Sequence, residues 1–383
     1  LFLRGIGLGR FAALIGGIAY QLNSFFVASA VFPMIIAAAI WLPFLLLMCE
    51  NVIRRRRAFG KPAVLLWVVL GAFGLGMSML AGHVEFFYYS LLVMAMWCAV
   101  RLLVLWLGKR EPFAAIFGRG AALIGLVALG VGLGAVQFVP FYELVNTSFR
   151  EGRASFEEIR GYGLPPRHAL AFLMPNIYGS PAQHAYFDLF SGQYTALRWT
   201  RSDGATITNT FMEGGKNYVE GASYAGLLTL ILALIGVLHW RDRAAHAKIT
   251  AEAPYRAMFL ALSVLSLLFA FGTPLYALLY YGLPGINQLH SPFRWVFPLM
   301  MCLAALAAYG AQALQQGRGD STFGAAYYRD GAAASLTFRA ARWIGYALIG
   351  LGAAILIGLV GTRLAYDQVR GVIEALYNNL AGA

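Results

Sequence analysis

Three short polar stretches interrupt an otherwise apolar chain, and they hold the residue types that move protons and bind phosphate. The first, GHVEFFYY (82–89), carries His83 and Glu85. The second, PFYELVNTSFREG (140–152), follows an apolar run with Glu143, Asn146, Ser148 and Arg150. The third, GLPGINQLHSPFRW (282–295), sets Asn287, His290 and Arg294 among two prolines and two glycines. Carboxylates and imidazoles serve as acids and bases, and the forked guanidinium of arginine holds phosphate through paired donors. A charge at the centre of a bilayer costs roughly 2.5 to 3.5 kcal/mol on insertion scales, so each retained charge needs a reason. Two reasons compete in each stretch. His83 and Glu85 belong either to a solvated turn or to the polar wall of a cavity at the membrane surface. Glu143 and Arg150 either accompany ordinary helix-end caps or touch a ligand. Arg294 either extends toward lipid headgroups or, with His290, faces a cavity. Irregular backbone at membrane depth persists only where protein or cavity water covers it, and the prolines and glycines of 282–295 demand such cover.

Helices must position these stretches. Apolar residues make up 60% of the 383 and charged residues 12%, against about a quarter charged in soluble domains. An apolar helix needs about 20 residues to cross about 30 Å of hydrocarbon. Nine runs meet that length, near 5–24, 33–50, 62–81, 87–107, 119–140, 220–239, 256–280, 295–313 and 341–363. Their length and their Gly, Leu and Ala content exclude barrel strands, leaving an all-α polytopic helical bundle. Residues 1–140 read as an N-terminal bundle of five spans, 141–219 as a long extracytoplasmic loop with short helices, 220–363 as a bundle of four spans, and 364–383 as the start of a further extracytoplasmic region. Glycines in GAFGLG (71–76) and GLVALGVGLG (125–134) let helices approach closely. No strand precedes them, so they are not phosphate-cradling loops. Loops this long are seldom mere connectors. This one contains SFEEIR (155–160), a capped helix start, and PPRHALAFLMP (165–175), a helical stretch, and is expected to fold over the bundle.

The net charge of +12 might belong to a nucleic-acid binder, but its distribution argues otherwise. With Arg54 to Arg57 in the cytoplasm, strict alternation places 1–10, 50–61, 108–119, 240–256 and 314–342 on the same side. These segments hold eighteen Lys/Arg and six Asp/Glu, which is the whole excess. Loop 141–219 balances seven basic with seven acidic residues. That asymmetry is the positive-inside rule, and no nucleic-acid partner is needed to explain it. Cys49, Cys98 and Cys302 lie in or beside spans and bridge no external loop. No HExxH, CxxC or GxSxG occurs, so no metal or cofactor is called for by a ligand motif, although a divalent ion fits the chemistry considered below. The chain opens at Leu1 within a helical pattern and lacks a signal peptide's charged start and cleavage site, so further sequence is expected upstream, and also beyond Ala383.

Several longer phrases, in this order, resemble the YfhO-like bacterial membrane proteins: LFLRGIGLGRFAALIGGIAYQLNSFF (1–26), AAIWLPFLLLMCE (38–50), GH with an acidic residue and aromatics (82–89), LPPRHALAFLMPNIYG (164–179), EGASYAGLLTLILALIGVLHWR (220–241) and LPGINQLHSPFRW (283–295). That family is similar to the GT-C glycosyltransferases. The resemblance implies a multi-pass protein of the bacterial cytoplasmic membrane that takes a sugar from a polyprenyl-phosphate donor and passes it to a cell-envelope glycan or lipid on the outer face. It also implies a catalytic Asp in a first external loop, a segment expected upstream of Leu1, and a Gln where this chain has Glu85. On that basis Arg294, assisted by His290, is the candidate phosphate ligand and Arg150 the second choice. Glu143, Glu85, His83 and Asn287 complete the candidate binding residues. A transporter of lipid-linked glycans, or a non-catalytic envelope scaffold whose external loop binds partners, would use the same surfaces.

Overall fold

A computed structural model describes residues 1–108, 111–147, 154–175, 221–244, 254–286 and 292–319, with single residues and short pieces between and beyond them. Residues 1–175 and 214–318 form one compact unit, and 176–213 with 319–383 a second.

Prolines and glycines divide the first unit into helices. The N-terminal part runs through α1 (Phe2–Gly5), α2 (Arg10–Gln21) and α3 (Ser24–Ala28). Asn23 caps α3 by accepting from the Phe26 backbone N–H at 3.2 Å, satisfying a donor that the first turn leaves open. Pro33 opens α4 (Pro33–Ala39), and Pro43 lies in the first turn of α5 (Leu42–Ile53). Proline suits these positions because its missing N–H would be unpaired there anyway. The Arg54–Arg57 run follows. A two-stranded hairpin, β1 (Arg57–Ala58) with β2 (Lys61–Pro62), leads into α6 (Val64–Leu80). A turn at Gly82, at φ +83°, leads into α7 (Val84–Leu103), which continues as a π-helical turn to Gly108. Pro112 precedes α8 (Phe113–Leu133), and α9 (Ala135–Thr147) follows after Gly134.

The glycine faces read from the sequence meet each other. Gly71 and Gly76 on α6 lie against Leu126 and Leu133 of α8, while Gly130 and Gly134 lie against Leu75 and Met79 of α6. A side chain at any of the four would push the helices apart. On its other side α8 presents Phe117, Ile124 and Leu129, all exposed. Exposure of this kind suits a helix bordered by lipid.

The later helices are α11 (Leu227–Ala244), α12 (Tyr255–Ala270), α13 (Ala277–Gly282) and α14 (Val296–Gly319). Between α12 and α13 the chain bends by 100°, at Gly272 with φ +59°. The irregularity expected within 282–295 thus begins earlier, because Gly272 and Pro274 stop the helix first. The segment 154–164 covers this bend. Ser155 caps the short helix α10 (Phe156–Gly161) by accepting from the Glu158 N–H at 3.2 Å, as its sequence suggests. Arg160 Nε donates to the Gly272 carbonyl at 3.0 Å and the Leu164 N–H to the Ala270 carbonyl at 2.7 Å. The Tyr280 hydroxyl donates to the Ala154 carbonyl at 2.8 Å. The open carbonyls at the end of α12 thereby gain partners that lipid would not supply. The stretch 165–175 is helical as expected, as a 3-10 helix over Pro166–Phe172.

The protein is mainly helical. Among the described residues four helices are long and apolar enough to cross a membrane, or six if each of two bent pairs counts as one span. The nine runs read from the sequence differ from this in identifiable places. Run 62–81 becomes the shorter α6, stopped by the Gly82 turn, and run 220–239 yields the shorter apolar stretch Leu227–Leu238. Most of run 341–363 lies outside the described residues.

The second unit adds strands where only short helices were expected. Strand β3 (Ala185–Asp188) pairs antiparallel with β4 (Gln193–Ala196), and β5 (Trp199–Thr200) with β6 (Thr206–Ile207). Tyr186, Phe187, Tyr194 and Thr195 are strand-favouring types, and the helical expectation undervalued them.

Candidate functional site

The polar stretches 82–89 and 282–295 come together. Arg294 lies on a 3-10 turn (Pro292–Trp295) fixed by its buried neighbours Phe293 and Trp295. Glu85 lies in the first turn of α7, where the positive end of the helix dipole favours a carboxylate. The two form an ion pair, both partly exposed. The Tyr88 hydroxyl donates to the Pro284 carbonyl at 2.9 Å and holds the two segments together.

Beneath the pair is an aromatic floor. The Arg294 guanidinium carbon lies 5.9 Å from the ring centre of Phe86, and the His83 ring 4.6 Å from it. Phe86 packs on Phe25 at 5.3 Å and on Phe297 at 5.6 Å, and all three rings are fully buried. A rigid apolar base of this kind fixes where the cation can point.

The same floor extends to a groove in the side of the bundle. Phe25 contacts Phe26 at 5.2 Å, and Phe26 contacts Tyr20 at 4.9 Å. Phe26 and Tyr20 line a cavity of about 490 Å³, together with Phe2, Gly16, Pro43 and Met301. Its wall is mainly apolar, with Gln21 also at its edge. At Gly16 the absent side chain lets α2 pack closely against Ala304 and Ala308 of α14. Two ring contacts, Phe86 to Phe25 and Phe25 to Phe26, therefore lie between the Glu85–Arg294 pair and the groove.

Of the sequence candidates, Glu85, Arg294 and His83 assemble here. Glu143 lies on the exposed side of α9, a helix that packs on α6 and α8. Arg150, Asn287 and His290 fall outside the described residues. Among the described residues no three of His, Cys, Asp and Glu gather as a metal site.

A second polar cluster escaped the sequence reading. Glu50 at the end of α5 is fully buried and accepts from Arg101 of α7 through two bonds, Nη2 to Oε1 at 2.8 Å and Nε to Oε2 at 3.0 Å. Arg54 Nε donates to Oε1 at 2.7 Å and Trp97 Nε1 to Oε2 at 3.3 Å. The Tyr255 hydroxyl of α12 donates to Oε1 as well, and itself accepts from Arg54. Trp97 and Tyr255 stack at 5.6 Å. Every oxygen of the carboxylate is occupied, and three helices are tied together. This is a structural fastening and not a ligand site. The clue was available: Arg101 falls inside an apolar run, and a charge there requires an opposite partner.

Comparison of the chain with family models, with curated proteins and with solved structures finds no match. Fold and site together define a helical protein with several helices suited to a membrane, carrying an arginine–glutamate pair joined by aromatic rings to a lateral apolar groove.

Proposed function

We propose that this chain belongs to a membrane glycosyltransferase that uses a polyprenyl-phosphate-linked sugar and modifies a cell-envelope glycan or lipid on the outer face of the bacterial cytoplasmic membrane. One observation carries the reading: an apolar groove and a guanidinium seated on an aromatic floor lie in one helical bundle, two ring contacts apart. A polyprenyl chain calls for the first and its phosphate for the second. The order of phrases that resembles YfhO-like proteins supports the same reading, and with it we propose a nine-span, GT-C-like bundle for the chain.

In the transfer an acceptor hydroxyl oxygen bonds to the sugar's anomeric carbon while the bond from that carbon to the phosphate oxygen breaks. Polyprenyl phosphate leaves with the electron pair, and a carboxylate takes the hydroxyl proton. Arg294 stabilises the charge gathering on the departing phosphate. Glu85 holds Arg294 in place and neutralises it when the site has no donor. Purified full-length protein in liposomes is expected to move labelled sugar from a polyprenyl-phosphate donor onto envelope material. Donor that stays intact under every acceptor tried would reject the reading.

One observation favours a second reading, passage of a lipid-linked glycan. Two helices are broken, Arg10–Gln21 with Ser24–Val31 at 41° and Tyr255–Ala270 with Pro274–Gly282 at 100°. Broken helices in two halves are a transporter trait. Counterflow of substrate in proteoliposomes without covalent change would select it.

A further inference from the structure

The hairpin between α5 and α6 is built around a residue that does not suit it. Strand β1 pairs with β2 through Arg57↔Pro62 and Ala58↔Lys61, leaving Phe59 and Gly60 as the two turn residues. Both have positive φ, +51° and +76°, as in the tight turns that match the twist of paired strands. Asn or Asp before Gly is the ordinary choice, because a bulky side chain at positive φ is strained. Phe59 accepts that strain and gains nothing inside the protein, since it is 99% exposed. Strain retained at an exposed position points to a role outside the fold.

The surroundings indicate what the tip meets. Arg55, Arg57 and Lys61 are all exposed around Phe59, and Arg55 also has positive φ. Arg56 instead turns inward, where its guanidinium donates to the Gly5 carbonyl. The Arg56 carbonyl accepts from Trp67 Nε1 at 2.8 Å, so the base of the hairpin is held. Apolar surface begins immediately beyond it, at exposed Leu65 and Leu66 of α6. An aromatic ring ringed by cations at the edge of an apolar belt matches one environment, the headgroup layer of an anionic leaflet.

We propose that the Arg55–Lys61 hairpin is an interfacial anchor that seats Phe59 among the headgroups of an anionic leaflet, with Arg55, Arg57 and Lys61 against lipid phosphates. The anchor holds the end of α5, and with it the Arg54–Glu50 contact, at a fixed depth. It is independent of sugar transfer, and the two fail separately.

The test reconstitutes full-length Phe59→Trp protein in phosphatidylcholine bilayers with and without phosphatidylglycerol, and takes the Trp emission added over the parent. That increment is expected to be quenched by brominated acyl chains and shielded from acrylamide, more strongly with brominated phosphatidylglycerol than with brominated phosphatidylcholine. Each of Arg57→Gln and Lys61→Gln is expected to lower that preference about fivefold, the effect of one cation at an anionic surface. Acrylamide quenching without bromine quenching would put the tip in water and overturn the proposal. Shielding from both quenchers would indicate a protein partner and overturn it equally. Phe59→Asn, which suits the turn, is expected to leave thermal stability in detergent unchanged or raised. A fall would show that Phe59 packs within the protein and would also overturn the anchor.

Discussion

Replacing Glu50 with alanine is expected to cost about 3 to 5 kcal/mol of stability, because it strands the buried Arg101 without its counter-charge. Arg101 is 4% exposed and gives two hydrogen bonds to this one carboxylate. No water reaches that depth readily, so the guanidinium cannot recover its hydration once Glu50 is gone. Arg54 and Tyr255 lose the same acceptor at once. The loss is thus a desolvation penalty falling on several groups and not the worth of one contact. The double variant Glu50→Leu with Arg101→Met tests this account, since removing the two most deeply buried charges together removes the largest part of the penalty. It is expected to unfold at a temperature nearer to wild type than Glu50→Ala alone, in detergent. A single variant that melts with the parent would show that the cluster fastens nothing.

The second large effect is on activity. Arg294→Ala is expected to lower sugar transfer on the order of 10²-fold or more, the typical cost of losing one charge-stabilising donor at a reacting centre. Arg294→Ala also leaves the Glu85 carboxylate without its counter-charge, so transfer is compared at a temperature where the variant remains folded in detergent. Arg294→Lys keeps the charge but loses the fork that grips two phosphate oxygens, and is expected to fall between the two. Glu85→Gln removes the competing carboxylate and is expected to tighten donor binding. Unchanged transfer by Arg294→Ala would remove this residue from the mechanism.

Much of the helical layout could be read in the sequence, because apolar length and proline position act locally. The glycine faces at 71–76 and 125–134 were legible too, although nothing in the sequence said that they face each other. The Ser155 cap followed from a pattern of four residues. The bend at Gly272 was not legible in the same way: its cover comes from Arg160 and Leu164, more than a hundred residues earlier. Long-range pairing explains the site as well. Glu85 and Arg294 each stood out as charges near apolar runs, and only the packing of α7 beside the turn before α14 makes them partners. The Glu50–Arg101 fastening is hard to read from the sequence because Glu50 adjoins the polar Arg54–Arg57 run, whereas the last turn of α5 carries it inside.

The central claim is that the lateral groove and Arg294 together receive one lipid phosphate. A polyprenyl phosphate bearing a photoreactive group in its chain tests it most directly, with the attachment points mapped on full-length protein in a bilayer. Labelling is expected at the groove residues Tyr20, Phe26 and Met301, displaced by a polyprenyl-phosphate sugar and weakened by Arg294→Ala. Labels scattered over outward positions such as Phe117 and Ile124, without enrichment in the groove and without response to Arg294→Ala, would contradict it.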